Sequence, residues 1–395
     1  MTRRRVMLAG STALTAWAAE NKAARGDRVH PRRIPGGGLQ PQSAVDKHGN
    51  LHLVYYTGDP FKGNLRYVRS SDFGTSFSSP LSVNKAGSAV AAGTIRGAQI
   101  ALGKAGRVHV AWNGSNEAEA KGPINPDSGK PGAPVLYARL NNAGTDFEPE
   151  RNLMLHSFGL DGGGTIAADP AGNVYVAWHG IGENEAKTGV GEARRRVWIT
   201  KSEDEGQSFQ AEHQAWAQPT GACGCCGMKI HASRAGEISV FYRSATESVH
   251  RDIYLLSSKD RGQTFQGGLL HKWDINACPM SSMDFADNGT MLAGAWETGG
   301  QIYWARLDGN RSRKIVSAPG DGKGRKHPRL AMNPGGEMLL VWTEGTGWQK
   351  GGSFAWQLYD RDGQPTAEKG LVAGIPTWSF AAPVPRPDHG FSILY

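Results

Sequence analysis

The sequence predicts an all-β fold of four-stranded sheets set around a common axis, a β-propeller. Three observations predict it. A strand–turn–strand pattern recurs seven times along the 395 residues, and a second short turn motif follows it in most units. No long segment carries the 3.6-residue apolar period of an amphipathic helix. Composition fits this class. The 54 Gly and 21 Pro supply many turns without reaching the range of collagen-like or disordered chains. The 12 Trp, 12 Phe and 10 Tyr need a core to bury them.

The chain opens with a segment of a different kind. Thr2-Arg3-Arg4-Arg5-Val6-Met7 leads a mildly apolar stretch to Ala19, and Ala16-Trp17-Ala18 offers a small-x-small cleavage site. A basic start, a short apolar run and such a site describe a signal peptide over residues 1–19. The paired arginines and weak hydrophobicity match the twin-arginine type, so the mature chain is expected in the periplasm or secreted. No run reaches the roughly 18 apolar residues of a membrane span. The net charge of 44 − 36 = +8 falls to +5 without Arg3, Arg4 and Arg5. That excess is spread thinly, and no basic stripe marks a nucleic-acid surface.

From residue 25 to 395 the repeat sets one expected domain. Each unit reads as a small or apolar stretch, a turn closing on Gly, and an alternating strand ending in an aromatic. The turn glycines are Gly49, Gly106, Gly172, Gly236, Gly289, Gly336 and Gly390, spaced 47 to 66 residues apart. The strands after them end at Tyr55, Trp112, Trp178, Tyr242, Trp296, Trp342 and Tyr395. Glycine can supply the positive φ of a tight turn joining two inner strands, A and B. Seven A–B pairs meet only six outer stretches, because the chain stops at Tyr395. The residues before Gln40 are therefore expected to complete the last blade and close the ring.

Three segments share a further template. They are Ser70-Ser-Asp72-Phe-Gly74-Thr-Ser76-Phe77, Ser202-Glu-Asp204-Glu-Gly206-Gln-Ser208-Phe209 and Ser258-Lys-Asp260-Arg-Gly262-Gln-Thr264-Phe265. Leu140-Asn-Asn142-Ala-Gly144-Thr-Asp146-Phe147 is a worn fourth copy. The Asp is expected to accept backbone N–H bonds across a turn, the Gly to take the left-handed position, and the aromatic to pack between sheets. These segments resemble the Asp boxes of bacterial neuraminidase repeats, and the whole mature chain resembles a sialidase-superfamily propeller. The resemblance implies six blades as usual, whereas the repeat counts seven units.

Connectivity sorts residues by face. A–B turns and Asp boxes share one face, which makes Asp72, Asp204 and Asp260 structural. B–C loops and the crossings from D to the next A share the other, where a central pocket is expected. The loops after Trp112 and Trp178, carrying Glu117, Glu119, Glu183 and Glu185, are either lids over it or solvated. The crossings bring Arg96, Asp161, the Cys223 region, Cys278, and His327 with Arg329 toward the axis. Aromatics ending the B strands are assigned to packing between blades.

The sialidase resemblance implies three arginines clamping a carboxylate, a Tyr nucleophile activated by a Glu, and an Asp general acid. Arg243 matches a clamp position best, with Arg96 and Arg329 as further candidates on the pocket face and Asp161 as candidate acid. Arg33-Ile34-Pro35 spells the family's Arg-Ile-Pro motif, but 14 residues ahead of the turn at Gly49 rather than in the usual register. Where the family places its Glu, this chain reads Cys223-Gly-Cys225-Cys226-Gly-Met228-Lys229. Tyr56 and Tyr395 are the nucleophiles available by position. Two functions stay open: an exo-α-sialidase-like glycoside hydrolase, or a non-hydrolytic module binding an acidic glycan or other anion.

All four cysteines fall in crossings into successive blades. Together with Arg243, Arg251-Asp252-Ile253, Trp273 and Cys278-Pro279, the Cys-x-Cys-Cys pattern resembles a subgroup of sialidase-like exported bacterial proteins. One reading is disulfides bracing the rim, with Cys278 joined to one of the triplet. A second is a copper or zinc site on Cys223, Cys225, Cys226 and Cys278, with Met228, Met280 and His231 as further ligands. A third is a catalytic thiol.

Overall fold

Residues 28–182, 191–308 and 313–395 are described by the computed structural model. The signal-peptide segment and the loop carboxylates Glu183 and Glu185 lie outside them. The second strand of a blade is buried on both faces. Val108–Asn113, Ile238–Arg243 and Leu292–Thr298 pair on both sides, and each is the second strand of a four-stranded antiparallel sheet. Six such sheets follow in chain order, the third widened to five strands by Ser157–Phe158, which pairs with the end of its second strand. Their inner strands are Leu39–Val45, Gln99–Leu102, Thr165–Ala168, Lys229–Ala232, Met283–Asp287 and Arg325–Met332, opening blades I to VI. Blade VII holds Ala382–Pro385, Phe391–Leu394 and, brought from the other end of the chain, Val29–Arg32. The inner strands touch in sequence from I to VII and back to I. The described residues thus form a ring of seven blades, where the family resemblance implied six.

Closure of the ring has a directional reason. In a full blade, strands A to D alternate in direction, so the strand that feeds the next A must run the same way as B. Among the described residues, blade VII has no C strand. Val29–Arg32 therefore lies directly beside Phe391–Leu394 in parallel register, Val29 opposite Phe391 and Arg32 opposite Leu394. Ile34 N–H then donates to the Tyr395 carbonyl at 3.0 Å, which ties the C-terminus to the entry of blade I.

The B-strand aromatics Trp112, Trp178 and Trp296 are fully buried, each contributing on the order of 3 kcal/mol of apolar burial. Blades also stack by close approach. Phe241 of blade IV lies on Gly294 of blade V, where a Cβ would come within 2.3 Å of its ring. Six of the seven turn glycines have positive φ, from 78° at Gly106 to 102° at Gly172. At the seventh turn the left-handed residue is His389, φ 60°, in place of Gly390.

The three Asp boxes share one local network. In the first, the Ser70 hydroxyl donates to Asp72 Oδ1 at 2.7 Å and accepts the Gly74 N–H at 2.8 Å, while the Ser76 N–H reaches Asp72 Oδ1 at 2.8 Å. The same bonds recur around Asp204 and Asp260. Two consecutive left-handed residues make each turn: Phe73 and Gly74, Glu205 and Gly206, Arg261 and Gly262. All three boxes follow the third strand of their blade, on the face of the A–B turns.

Candidate functional site

The opposite face gathers backbone strain. Gln40 (φ 53°), Thr94 (68°), Met280 (48°), His327 (52°) and Trp378 (57°) are non-glycine residues in the left-handed region. All five lie where the chain enters an inner strand. Gln40 and His327 sit at bulges that interrupt the pairing of inner strands I and VI. Their surroundings hold them there: the Gln40 amide donates to the carbonyls of Ala91 (2.5 Å) and Trp378 (2.8 Å) and accepts from Gly97 N–H (2.9 Å). Such outliers persist where the surrounding structure over-determines them, and they cluster at ligand sites.

The axis itself is filled. Lys229 Nζ lies 3.3 Å from Asp284 Oδ1 and donates to Gln99 Oε1 at 3.2 Å. Arg329 donates to Gln42, sits 3.6 Å from Asp284 Oδ2, and stacks 5.0 Å from the Phe380 ring centre. What remains is a void of about 10 Å³, on the order of one water. Among the described residues the expected central pocket is therefore filled at this level, and Arg329 belongs to its plug.

Arg243 is likewise committed. Its side chain is fully buried between blades IV and V, donating to the carbonyls of Arg251 (2.7 Å) and Glu297, with Glu297 Oε2 at 3.4 Å and the Trp273 ring 5.0 Å away. Burial pushes the Glu297 carboxyl up, and the Arg243 charge opposes this. The guanidinium that sequence reasoning placed in a substrate clamp instead pairs a buried acid. Arg33 bonds Gly374 and stacks on Tyr395, away from the axis. Tyr56 is buried, its hydroxyl donating to the Asp59 carbonyl, and burial holds it protonated. Glu117 and Glu119 pair with Lys62 and Lys85 on the surface.

Arg96 and Asp161 do meet at the open mouth. The guanidinium donates to the Asp161 carboxylate and, at 2.6 Å, to its carbonyl and that of Ala92. Gly224 lets the cysteine loop approach them, for a Cβ there would come within 2.7 Å of both Asp161 Oδ2 and Arg195 Nη1. Behind them His179 is buried with neither ring nitrogen bonded, and burial, then Arg195, bring its pKa down to about 3. Beside Arg96 opens a shallow cleft of Thr94, Met280, Lys326, His327, Trp348 and Trp378. Trp348 is 50% exposed and meets Trp378 edge to face at 5.8 Å, and Phe61, 58% exposed, also meets Trp378 edge to face at 5.8 Å. Sequence reasoning passed over these aromatics because they lie in loops rather than at strand ends. Arg195, Arg251 and Glu192 were passed over too.

The four cysteines converge as expected. Cys225 and Cys278 form a disulfide with Cα atoms 6.5 Å apart, within the ordinary range. Cys223 Sγ lies 3.5 Å from Cys225 Sγ and 3.2 Å from Cys226 Sγ. Contacts from three blades fix the loop: Glu192 Oε1 accepts Gly224 N–H at 2.5 Å, Arg243 O accepts Cys223 N–H at 2.9 Å, and Ser281 O accepts Gly227 N–H at 2.9 Å. The shared Cys223–Cys226 hydrogen bond pushes the Cys223 thiol up. For Cys226 burial acts upward, but that bond and the Arg243 charge bring it down. The sulfurs of Cys223, Cys225 and Cys278 lie within 4.8 Å of one another, a group that could hold a metal. His231 instead bonds Asp287 at 3.0 Å.

No family model matches this chain, and no curated protein does. Solved structures do resemble it. A protein of unknown function from Dyadobacter fermentans is 13% identical over 88% of this chain and 98% of its own, with a TM-score of 0.52. The Hadza microbial sialidase Hz136 is 14% identical, covering 77% of this chain and 63% of that one, TM-score 0.50. Trypanosoma rangeli sialidase, complexed with the inhibitor DANA, is 13% identical, covering 82% and 54%, TM-score 0.52. The fold is that of the sialidase-like propellers. At these identities the likeness speaks for fold alone, and the chain spans 63% and 54% of the two sialidases.

Proposed function

We propose that this chain is an exported propeller that binds an acidic glycan, or another carboxylate-bearing ligand, on the pocket face without hydrolysing it. The observation that carries this reading is the half-exposed Trp348 standing beside Trp378, Lys326 and Arg96. An exposed indole is a flat apolar surface on which a sugar ring can lie. A guanidinium and an ammonium at its edge supply charge-assisted donors for a carboxylate. The sialidase-like fold supports a carbohydrate ligand by analogy. Against the family's hydrolytic route stand the enclosed Arg243 and the buried Tyr56 hydroxyl.

Calorimetric titration with sialyllactose and with neutral lactose tests it. The acidic ligand is expected to bind at least tenfold tighter, and Trp348→Ala and Lys326→Met each to weaken it about tenfold. Equal affinity for both sugars would refute the carboxylate claim. Turnover of a fluorogenic sialoside, lost in Asp161→Asn, would replace the binding reading with the hydrolase. A copper or zinc site is the second reading, favoured by the convergence of the Cys223, Cys225 and Cys278 sulfurs and requiring Cys225 and Cys278 in reduced form.

A further inference from the structure

Four clustered sulfurs, graded from exposed to buried, are more than a brace. Cys278 is exposed and Cys225 half-buried, whereas Cys223 and Cys226 are each only 2% exposed. The disulfide joins the outer two. The inner two are thiols with the Cys-x-x-Cys spacing of redox pairs. Cys223 Sγ touches both neighbours, at 3.5 Å from the disulfide sulfur of Cys225 and 3.2 Å from Cys226 Sγ. A thiol in contact with a disulfide sulfur is placed for exchange, which proceeds by thiolate attack and departure of the second sulfur as thiolate.

We propose that the four cysteines form an internal thiol–disulfide relay, carrying the disulfide between the rim pair Cys225–Cys278 and the buried pair Cys223–Cys226. In the first step the Cys223 thiolate attacks Cys225 Sγ. The Cys223–Cys225 bond forms, the Cys225–Cys278 bond breaks, and Cys278 leaves as thiolate, taking up at the exposed rim the proton that Cys223 gave up. In the second step the Cys226 thiolate attacks Cys223 Sγ and Cys225 leaves with its electron pair, protonated in turn. One disulfide and two thiols become one disulfide and two thiols, so no outside oxidant or reductant enters.

The setting supports exchange at the buried end. Arg243 and Arg251, with side chains 0% and 6% exposed, place positive charge beside Cys226 and Cys223 respectively. Both retain an Nε–H without a partner. The Arg243 charge favours the thiolate at Cys226, the attacking group of the second step. Glu192 holds Arg251 at 2.6 Å and also caps Gly224 N–H, so the loop and its counter-charge move as one unit. The relay's outer end reaches the mouth, because Cys278 precedes Met280 in the shallow cleft and Lys326 donates to the Pro279 carbonyl. A thiol-bearing protein or small dithiol would therefore exchange with the chain at Cys278.

Native alkylation with N-ethylmaleimide, followed by tryptic mapping without reduction, tests this on the full chain. Cys223, Cys225 and Cys226 share the peptide from Ser202 to Lys229, and Cys278 lies in that from Trp273 to Arg306. A Cys225–Cys278 bond links the two peptides; a Cys223–Cys226 bond does not. Alkylation of the exposed sulfur should draw the relay over, giving labelled Cys278 on an unlinked peptide and a disulfide within the first. Cys226→Ser should still label Cys278 and leave a Cys223–Cys225 bond. Cys223→Ser should label Cys278 at least tenfold more slowly, with an unchanged circular dichroism spectrum confirming its fold. Linked peptides that stay unlabelled in both wild type and Cys226→Ser would overturn the relay. So would two disulfides per chain, or four thiols with stoichiometric zinc or copper.

Discussion

Replacing Arg243 by Ala separates two roles for the same side chain. In a carboxylate clamp its loss would weaken ligand binding and leave stability alone. In the position observed, its loss strands Glu297, itself 1% exposed, without a counter-charge. Removing one partner of a buried ion pair costs about 3–5 kcal/mol. With roughly 2.1 cal/mol/K of unfolding entropy per residue, a chain of this size loses about 1 °C of midpoint per kcal/mol, so a fall of about 4–6 °C is expected. The deficit should depend on pH in a definite direction. Burial holds the Glu297 carboxyl above its ordinary value even with Arg243 present. A raised carboxyl costs nothing below its unfolded value of about 4.3, and its cost grows as pH rises toward the folded value. Without Arg243 the folded value climbs further, so the deficit should be smaller at pH 5 than at pH 8. Adding Glu297→Gln removes the stranded charge and should restore at least half the loss. Thermal unfolding followed by circular dichroism at the two pH values reads all of this. A midpoint within about 1 °C of wild type, with binding of sialyllactose abolished, would refute the structural role.

Two further expectations concern the turn face. Gly206→Ala should destabilise by about 2 kcal/mol or more, because φ there is +75° and a Cβ would come 1.8 Å from the buried Tyr137 hydroxyl. Gly144→Ala in the worn box, also at positive φ but with nothing within 4 Å, should cost only about 1 kcal/mol; paired denaturant titrations would expose any failure of that ranking. Hydrogen bonds, from Ser76 first, hold Asp72 at about 2, and those from Thr264 hold Asp260 lower still. For Asp204 burial acts upward and is outweighed by Ser208 and Ser202, again leaving about 2. These depressed carboxyls stabilise the fold above their unfolded value near 3.9, and that contribution disappears as pH falls toward 2. Thermal midpoints from pH 5 to pH 2 should therefore fall more steeply in wild type than in the Asp72→Asn, Asp204→Asn, Asp260→Asn variant; parallel curves would contradict the assignment.

Much of the fold was legible because its signals are local. An Asp box closes its bonds within seven residues, from Ser70 to Ser76, so the template carries its own physics. A turn glycine needs only its neighbours. Face assignment follows from strand order alone, and it puts Arg96 and Asp161 on the pocket face and Cys278 beside the Cys223, Cys225 and Cys226 triplet. The fate of Arg243 was not legible, since its acid lies 54 residues on, in the next blade. Glu192 was missed for the same reason: it reaches Gly224 and Arg251 across 32 and 59 residues, and no periodic pattern announces such a contact. The parallel strand of blade VII follows from direction, yet nothing in Val29–Arg32 itself distinguishes it from an antiparallel one.

The two faces of the ring use the same left-handed backbone in opposite ways. On the turn face it falls mostly on glycine, and where a non-glycine residue shares it, as at Phe73, the adjacent Gly74 and the Ser70–Asp72 network satisfy the turn from within. Such turns are self-sufficient and would form in any blade. On the pocket face it falls on Gln40, Thr94, Met280, His327 and Trp378, and there partners from other blades hold two of them: Gln40 through Ala91, Gly97, Trp378 and Ser379, and His327 through Ser281 and Ser282. Strain held by distant partners persists only while the ring is closed. Ring closure by Val29–Arg32 is therefore coupled to the shape of the cleft that Trp348, Lys326 and His327 line, and the seventh blade serves the site as well as the fold.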